Sequence, residues 1–327
     1  MKTREYRKYL HKQGMMAAEI EKRMAIAGDF VRFFKVPGLD KDMESAGKAE
    51  VEKYARKLIV EGRNSLENFA ALSDYAKWLG LRRLQVAFIE AVDCHNALAV
   101  LAHRIEDKHG LEVRKRIFSE ALPPIGADER VRSAYTRMIT KHMAQELSPK
   151  ERRAAWFLVQ HGIPPIAWYK SDTEDRAKYL QCGSVDEFLD LKRQERDAML
   201  TRLHDQDELW YTIAITGEVL EFILSDPEME VGRRDGDKIY ISKVPYNAER
   251  YLHETDPKLK RYYACHCPLV REAILQDLPV SPEVCQCSLG HASHYLAGLG
   301  EKLKGKVLES AVKGDARCRF VFLLSAG

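Results

Sequence analysis

Cysteine clustering near the C-terminus is the feature that most restricts how this chain can fold. Five of the seven cysteines form two Cys-X-Cys pairs and one single residue, at Cys265 and Cys267, Cys285 and Cys287, and Cys318. Three histidines lie in the same stretch, at His266, His291 and His294. Thiolate and imidazole groups at this density are typical of zinc sites and of thiol redox centres. We therefore expect the functional site between residues 260 and 320.

The composition indicates a soluble, folded protein. With 327 residues, the chain is long enough for one large or two ordinary domains, each with its own core. A hydrophobic content of 45% and a charged content of 31% argue against disorder. The formal charge of +3 is too small to indicate a nucleic-acid partner.

We expect neither a secretion signal nor a membrane span. The basic N-terminal segment lacks the apolar core of a signal peptide, and no apolar run of about 18 residues predicts a membrane helix. The cysteines are then expected in a reducing compartment, where clustered cysteines bind metal or do chemistry more often than they form disulfides. We therefore predict a cytoplasmic protein with no membrane partner.

Helical patterns dominate residues 1–205. The segment Leu84–Leu101 places apolar side chains along one helical face. Ser148, followed by Pro149 and Glu151, has the pattern of a capping box with proline at the first helical position, and Ser184 begins another helix in a similar way. We predict an N-terminal α-helical bundle over residues 1–205.

Strand and turn patterns follow residue 205. β-Branched and aromatic residues become frequent in WYTIAITGEVLEFIL, and the turn at Gly236 separates two strand-like segments, which predicts a hairpin. Lys306–Val312 and Arg317–Leu324 flank a turn at Gly314 and predict a second hairpin. Residues 206–327 are therefore expected to form an α/β domain with antiparallel strands, which makes the whole chain α+β.

The cysteines have the local context of metal ligands. Both pairs are one residue tighter than the two-to-four-residue spacing of most zinc sites. Each pair directly precedes a predicted helix, whose first N–H groups and dipole favour thiolate, and Cys318 lies on the final strand. We predict that zinc is bound by four of the five cysteines Cys265, Cys267, Cys285, Cys287 and Cys318. Inert core cysteines and a thiol redox centre remain the alternatives.

Three residues are candidates for catalysis. Cys267 would be a nucleophile at a helix N-terminus, with His291 or His294 as the base. The two histidines are three residues apart on a predicted helix and therefore share a face. The alternative is that both are ordinary surface or core residues.

The C-terminal tail LESAVKGDARCRFVF resembles the closing hairpin of vinyl-4-reductase-type small-molecule-binding domains. The longer stretch from CHCPLVREAIL through VSPEVCQCSLGH to the tail is similar to L-2-amino-thiazoline-4-carboxylic acid hydrolase-like proteins. The resemblance begins at Cys265 and implies an α/β ligand-binding fold with a pocket between sheet and helices.

The resemblance also implies a zinc site. In the sensor members of these families, a glutamate and three cysteines hold zinc close to the ligand pocket. Cys318 matches the last of these ligands, and Cys285 or Cys287 matches an earlier one. The other two ligand positions fall near Val307 and Ser310, so Cys265 and Cys267 would have to replace them unless Glu309 compensates.

Two functional hypotheses follow. The first is a small-molecule-binding, sensor-like protein in which zinc with four protein ligands braces the pocket. The second is a hydrolase of a small cyclic amidine or amide C–N bond, with an open zinc position or a cysteine nucleophile. A small-molecule ligand and a second copy of the chain are the expected partners, and a thiol redox protein is a third option.

Overall fold

The computed structural model describes residues 3–35, 42–157, 159, 165–300 and 303–324 of the chain. Helices occupy most of this part, and the strands form two small antiparallel sheets toward the C-terminus. The prediction of an α+β chain with N-terminal helices and C-terminal antiparallel strands is therefore confirmed.

The α-helices of the described part are α1 (Thr3–Lys12), α2 (Ala17–Phe33), α3 (Lys48–Val60), α4 (Leu66–Trp78), α5 (Arg82–His109), α6 (Leu111–Ile117), α7 (Glu129–Glu146), α8 (Pro149–Trp156), α9 (Pro165–Tyr179), α10 (Val185–Asp205), α11 (Gly217–Ser225), α12 (Ala248–His253), α13 (Pro257–Ala264), α14 (Arg271–Leu275) and α15 (Gln286–His294). The strands are β1 (Leu209–Trp210), β2 (Ile213–Ala214), β3 (Arg233–Asp235), β4 (Lys238–Ser242), β5 (Lys304–Glu309) and β6 (Arg319–Leu323). Short 3₁₀ helices lie at Pro282–Cys285, Ala297–Leu299 and Ala311–Lys313.

The chain divides into two compact units, residues 1–96 with 122–131, and residues 97–121 with 132–327. This division differs from the predicted ranges 1–205 and 206–327. Helices α8, α9 and α10 belong to the unit that contains the strands, because side chains such as Phe188 and Leu189 of α10 pack into the core beside the sheet. Helical periodicity shows which face of a helix is buried, but it does not show what the face packs against.

The first unit is an all-helical core rich in aromatic rings. The Phe30 ring of α2 packs edge-on against Tyr54 of α3 and Phe88 of α5, with centroid distances of 4.9 and 5.3 Å. All three side chains are fully buried. Such edge-to-face contacts add about 0.5–1.5 kcal/mol per pair to the stabilisation from burial.

Within the described part of the chain, helix α5 is long and apolar enough to cross a membrane, as judged by its length and composition alone. Half of its most apolar window is buried inside the structure, including Phe88, Leu98 and Leu101. His95, on the same helix, has Nδ1 3.1 Å from the carbonyl oxygen of Pro123. The core helix of a soluble protein passes the same test of length and composition.

The four-stranded sheet of the second unit has the order β3-β4-β6-β5, with all pairs antiparallel. Alternation along β4 buries Ile239 and Ile241, and these pair with Phe322 and Phe320 of β6. Leu289 and Leu296, from α15 and the residues that follow it, pack on the same core. Both predicted hairpins, β3–β4 and β5–β6, are present.

Local sequence signals account for several helix starts. Ser148 and Glu151 form the predicted capping box at α8, and the Ser184 hydroxyl accepts the Glu187 N–H at α10. Asn247 caps α12 through the Arg250 N–H, and Asp256 caps α13. Helix α13 ends directly before Cys265, so this cap helps to position the first cysteine.

Truncation of Phe320 tests the importance of the sheet core. The side chain is fully buried, so we expect Phe320→Ala to lower the free energy of unfolding by about 3–5 kcal/mol. Leu308→Ala, in the neighbouring strand but 40% exposed, should change it by less than about 0.5 kcal/mol. Denaturant titration measures both changes, and equal losses would contradict this account of the core.

Candidate functional site

The five clustered cysteines come from three segments of the second unit. Cys265 and Cys267 lie between α13 and α14, and Cys265 donates its backbone N–H to the Arg261 carbonyl at 3.1 Å. Cys285 ends the 3₁₀ helix Pro282–Cys285, and Cys287 lies in the first turn of α15. Cys318 directly precedes β6. All seven cysteines of the chain are free thiols.

The fold brings these thiols together. Burial raises the pKa of Cys265, and the neighbouring thiols of Cys318 and Cys285 raise it further. Burial, followed by the Cys318 thiol, raises the pKa of Cys285 to about 12. The thiols of Cys265, Cys285 and Cys318 therefore each lie within electrostatic reach of the other two. Cys267 joins the group, because its pKa is raised first by burial and then by Cys265, Cys287 and Cys285.

Backbone N–H groups donate to the sulfur atoms of Cys265, Cys267 and Cys318. Cys265 accepts the N–H of Cys267, Cys267 accepts the N–H of Leu269, and Cys318 accepts the N–H of Ala311. Each of these bonds favours thiolate.

Cys285 has a side-chain hydroxyl as its partner. Its Sγ donates to the Ser310 hydroxyl oxygen at 3.4 Å, and that oxygen also accepts the Lys313 N–H. A Cys285 thiolate would accept the Ser310 proton in return, and the contact with Ser310 lowers the thiol pKa.

Cys287 differs from the other four. Its Sγ lies 2.9 Å from the carbonyl oxygen of Val159, a contact that a thiol makes by donating its proton and that a thiolate disfavours. Burial raises the pKa of Cys287 to about 12, against the opposing effects of the Val159 backbone, Lys243 and Arg104. The short contact with the carbonyl oxygen favours the neutral thiol, because that geometry requires a proton on sulfur.

Several cations surround the cysteines. Arg271 lies near Cys265, Lys313 near Cys285, and Lys243 near Cys287 and Cys318. Arg271 is 1% exposed, and its guanidinium carbon lies 3.8 Å from the centre of the Tyr246 ring. Each of these cations opposes the effect of burial on a thiol pKa. The sequence analysis did not identify them, because Arg271 falls on a predicted helix, Lys313 lies in a turn, and Lys243 is far from every cysteine in the sequence.

The segment after β4 connects several parts of the site. Lys243 donates its backbone N–H to the Cys318 carbonyl at 3.0 Å, and its Nζ lies 3.9 Å from the Glu230 carboxylate. Glu230 is buried and accepts the Val244 N–H at 3.0 Å. Its φ of 61° is in the left-handed region, where residues other than glycine are strained and which is common near functional sites.

The histidines of the site have partners away from Cys267. Nε2 of His291 lies 3.4 Å from the Val159 carbonyl oxygen, and Nδ1 of His294 lies 3.3 Å from the Asp172 carboxylate. His266 contacts the Val244 carbonyl through Nε2. His291 thus shares the Val159 carbonyl with Cys287, while the hydrogen bond of Cys267 is to Leu269.

Two arginine–carboxylate contacts fix the chain on either side of Cys318. Arg317 donates to Glu309 at 3.0 Å, and Arg319 donates to both oxygens of Glu228 at 2.6 and 2.9 Å. Glu228 is 7% exposed. Burial by itself raises the pKa of Glu228, but the hydrogen bonds and charges of Arg319 and Arg233 outweigh it and lower the pKa.

No three His, Cys, Asp or Glu side chains among the described residues are arranged to hold a metal ion. The structure therefore brings the predicted cysteines into one cluster without placing any three of them around a common centre. The cluster supplies sulfur donors, hydrogen bonds that favour thiolate, and balancing positive charge. Sulfur donors with such partners have the chemistry of thiolate metal ligands.

Comparison with known proteins does not assign the chain to a family. It matches no family model, no curated protein and no solved structure. The resemblance of the C-terminal tail to small-molecule-binding domains stays a prediction.

Removal of the Glu228 charge tests the support of Cys318. The pKa of Glu228 is lower in the folded chain than in the unfolded chain. Its pair with Arg319 therefore stabilises the fold above the unfolded pKa of about 4.3, and this stabilisation is lost as the pH falls through the folded pKa. We expect Glu228→Gln to lower stability at pH 7 by about 1.5–3 kcal/mol and to flatten the loss of stability in acid. The exposed Glu221→Gln is the control, and identical acid denaturation curves for wild type and Glu228→Gln would contradict the assignment.

Proposed function

We propose that this chain is a small-molecule-binding protein whose second unit is braced by one Zn²⁺ bound to Cys265, Cys267, Cys285 and Cys318. The observation that carries the proposal is the convergence of thiols from three separate segments of the chain. Zinc is the ion that four thiolates most often hold in a closed structural site. Such a site would tie the α13–α14 connection, the start of α15 and the start of β6 to one another.

The choice of four ligands follows from their hydrogen bonds. Cys265, Cys267 and Cys318 accept backbone N–H groups, and Cys285 lies beside the Ser310 hydroxyl. Outer hydrogen bonds of this kind orient metal ligands and stabilise their charge. Cys287 is left out, because its Sγ faces the Val159 carbonyl oxygen.

The surrounding charge supports a thiolate centre. Zn²⁺ with four thiolates has a net charge of −2, which is costly to bury without compensation. Arg271, Lys313 and Lys243 each lie close enough to a ligand cysteine to oppose the effect of burial on its pKa. Rotation of the cysteine side chains toward a common centre is the change that binding requires, and staggered χ1 states allow it.

The binding role and the location are supported by other observations. The similarity of the tail to vinyl-4-reductase-type domains favours a ligand-binding fold, and a site saturated by four protein ligands favours a structural role for the metal. Seven free thiols are what a reducing compartment maintains, so we propose that the protein is cytoplasmic.

The hydrolase alternative has less support. A cysteine nucleophile needs a base within hydrogen-bond reach, and Cys267 instead accepts the Leu269 N–H. A zinc hydrolase remains the alternative to test, since it needs three protein ligands and a water in the fourth position.

Metal analysis of cysteine variants tests the proposal. Protein purified without added metal should contain one Zn²⁺ per chain, with four thiols that react only after chelation. Serine substitutions at Cys265, Cys267, Cys285 and Cys318 should each lose stoichiometric zinc. Cys287→Ser is the matched control, because it removes a thiol of the same cluster and should keep the metal.

Two results would count against the proposal. Zinc-free protein in which the clustered thiols all react freely would exclude the metal. Loss of zinc from Cys287→Ser with full retention in Cys267→Ser would contradict the ligand set.

A further inference from the structure

A small cavity lies against the cysteine cluster. Its volume is about 240 Å³, and its walls come from α13, α14, the residues after α14 and the 3₁₀ helix Ala311–Lys313. Most of the lining residues are apolar, and Leu278, Val280 and Val312 are the partly exposed ones, while Val270 and Ile274 are buried behind them. Arg261 and Asp277 are its two charged residues. Partly exposed apolar side chains beside a few charged groups are typical of a small-ligand site.

The charged side chain of this cavity that lacks an ion-pair partner among the described residues is a cation, Arg261. The Asp277 carboxylate is paired with Nζ of Lys258. The Arg261 side chain has no ion pair or hydrogen bond within the part of the chain that the structure describes. It also lines a second, larger cleft of about 670 Å³, together with Lys260 and Gly314. A Cβ at Gly314 would lie 3.6 Å from Nη1 of Arg261, so the guanidinium lies beside Gly314.

We propose that this cavity binds a small apolar carboxylate, with the carboxylate on Arg261 and the apolar part against the partly exposed Leu278, Val280 and Val312. Guanidinium and carboxylate match in charge and in planar, two-pronged geometry. The 240 Å³ volume corresponds to roughly eight water molecules, which suits a ligand of the size of benzoate or hexanoate. A phosphate dianion fits less well, because its second charge would lie near Asp277.

The walls of the cavity are bonded directly to the proposed zinc ligands. The Arg261 carbonyl accepts the Cys265 N–H at 3.1 Å, and the Val270 N–H donates to the Cys267 carbonyl at 3.1 Å. Ala311, next to Val312, donates its N–H to the Cys318 sulfur. The inference rests on the proposed small-molecule-binding role, and it places the ligand beside the segments that the metal would hold.

Calorimetric titration of the full chain with hexanoate and benzoate tests the inference. We expect both to bind, and hexanamide and benzamide, which have the same shape without the charge, to bind at least about tenfold more weakly. Arg261→Gln should weaken carboxylate binding to a similar degree. Arg202→Gln, at an exposed arginine on α10, is the matched control and should bind normally. Val312→Phe, which fills the cavity while keeping Arg261, is the second variant and should also bind poorly.

Each contrary result has a defined meaning. Equal affinity of wild type and Arg261→Gln, equal affinity for amide and carboxylate, or binding of inorganic phosphate in place of either carboxylate would overturn the inference. So would failure of both carboxylates to bind zinc-replete wild type, which leaves the metal proposal standing. Carboxylate binding by protein that contains no zinc would instead support this site and contradict the metal proposal.

Discussion

Antiparallel pairing of β4 with β6 is the interaction on which the cysteine cluster depends. These strands are far apart in the sequence, and their register continues past Ser242 and Arg319 to the hydrogen bond from Lys243 N–H to the Cys318 carbonyl. That bond places Cys318 beside the segment that also contacts Glu230 and His266. Burial of the large apolar side chains in the two strands, worth about 1.5–3 kcal/mol each, stabilises the pairing against the entropy of closing the intervening loop.

The cluster combines two opposing electrostatic effects. Burial favours neutral thiols, and it is the largest influence on the pKa of each of the five cysteines. Hydrogen bonds oppose this effect at Cys265, Cys267, Cys285 and Cys318, and nearby cations oppose it at Cys265, Cys285, Cys287 and Cys318. A bound divalent cation would resolve this conflict, because it stabilises thiolates far more strongly than hydrogen bonds do. Cys287 donates its hydrogen bond as a neutral thiol, which is the behaviour of an inert, buried core cysteine.

Local features of the fold were predictable from the sequence. The serine caps at Ser148 and Ser184 and the turn at Gly236 each depend on a few neighbouring residues, and each prediction agrees with the structure. The structure of the segment WYTIAITGEVLEFIL was harder to predict, because its β-branched residues suggest strands. In the structure, Thr216 caps helix α11, and the strands β1 and β2 that precede this helix have two residues each. The two compact units differ from the predicted ranges because they depend on which helices pack together.

The candidate site was predictable only in its cysteines. They lie close together in the sequence, whereas the residues that contact them come from distant segments. Lys243, Glu230 and Ser310 have no motif that connects them to cysteine, and their roles depend on strand register and backbone hydrogen bonds. The distinction between Cys285 and Cys287 likewise depends on Val159, which is far away in the sequence.

X-ray absorption at the zinc edge tests the central claim most directly. The account predicts a single shell of four sulfur atoms at about 2.3 Å, in wild type and in Cys287→Ser alike. A mixed shell, with nitrogen or oxygen at about 2.0–2.1 Å, would contradict the closed four-cysteine site. It would instead support an open zinc position and the hydrolase alternative.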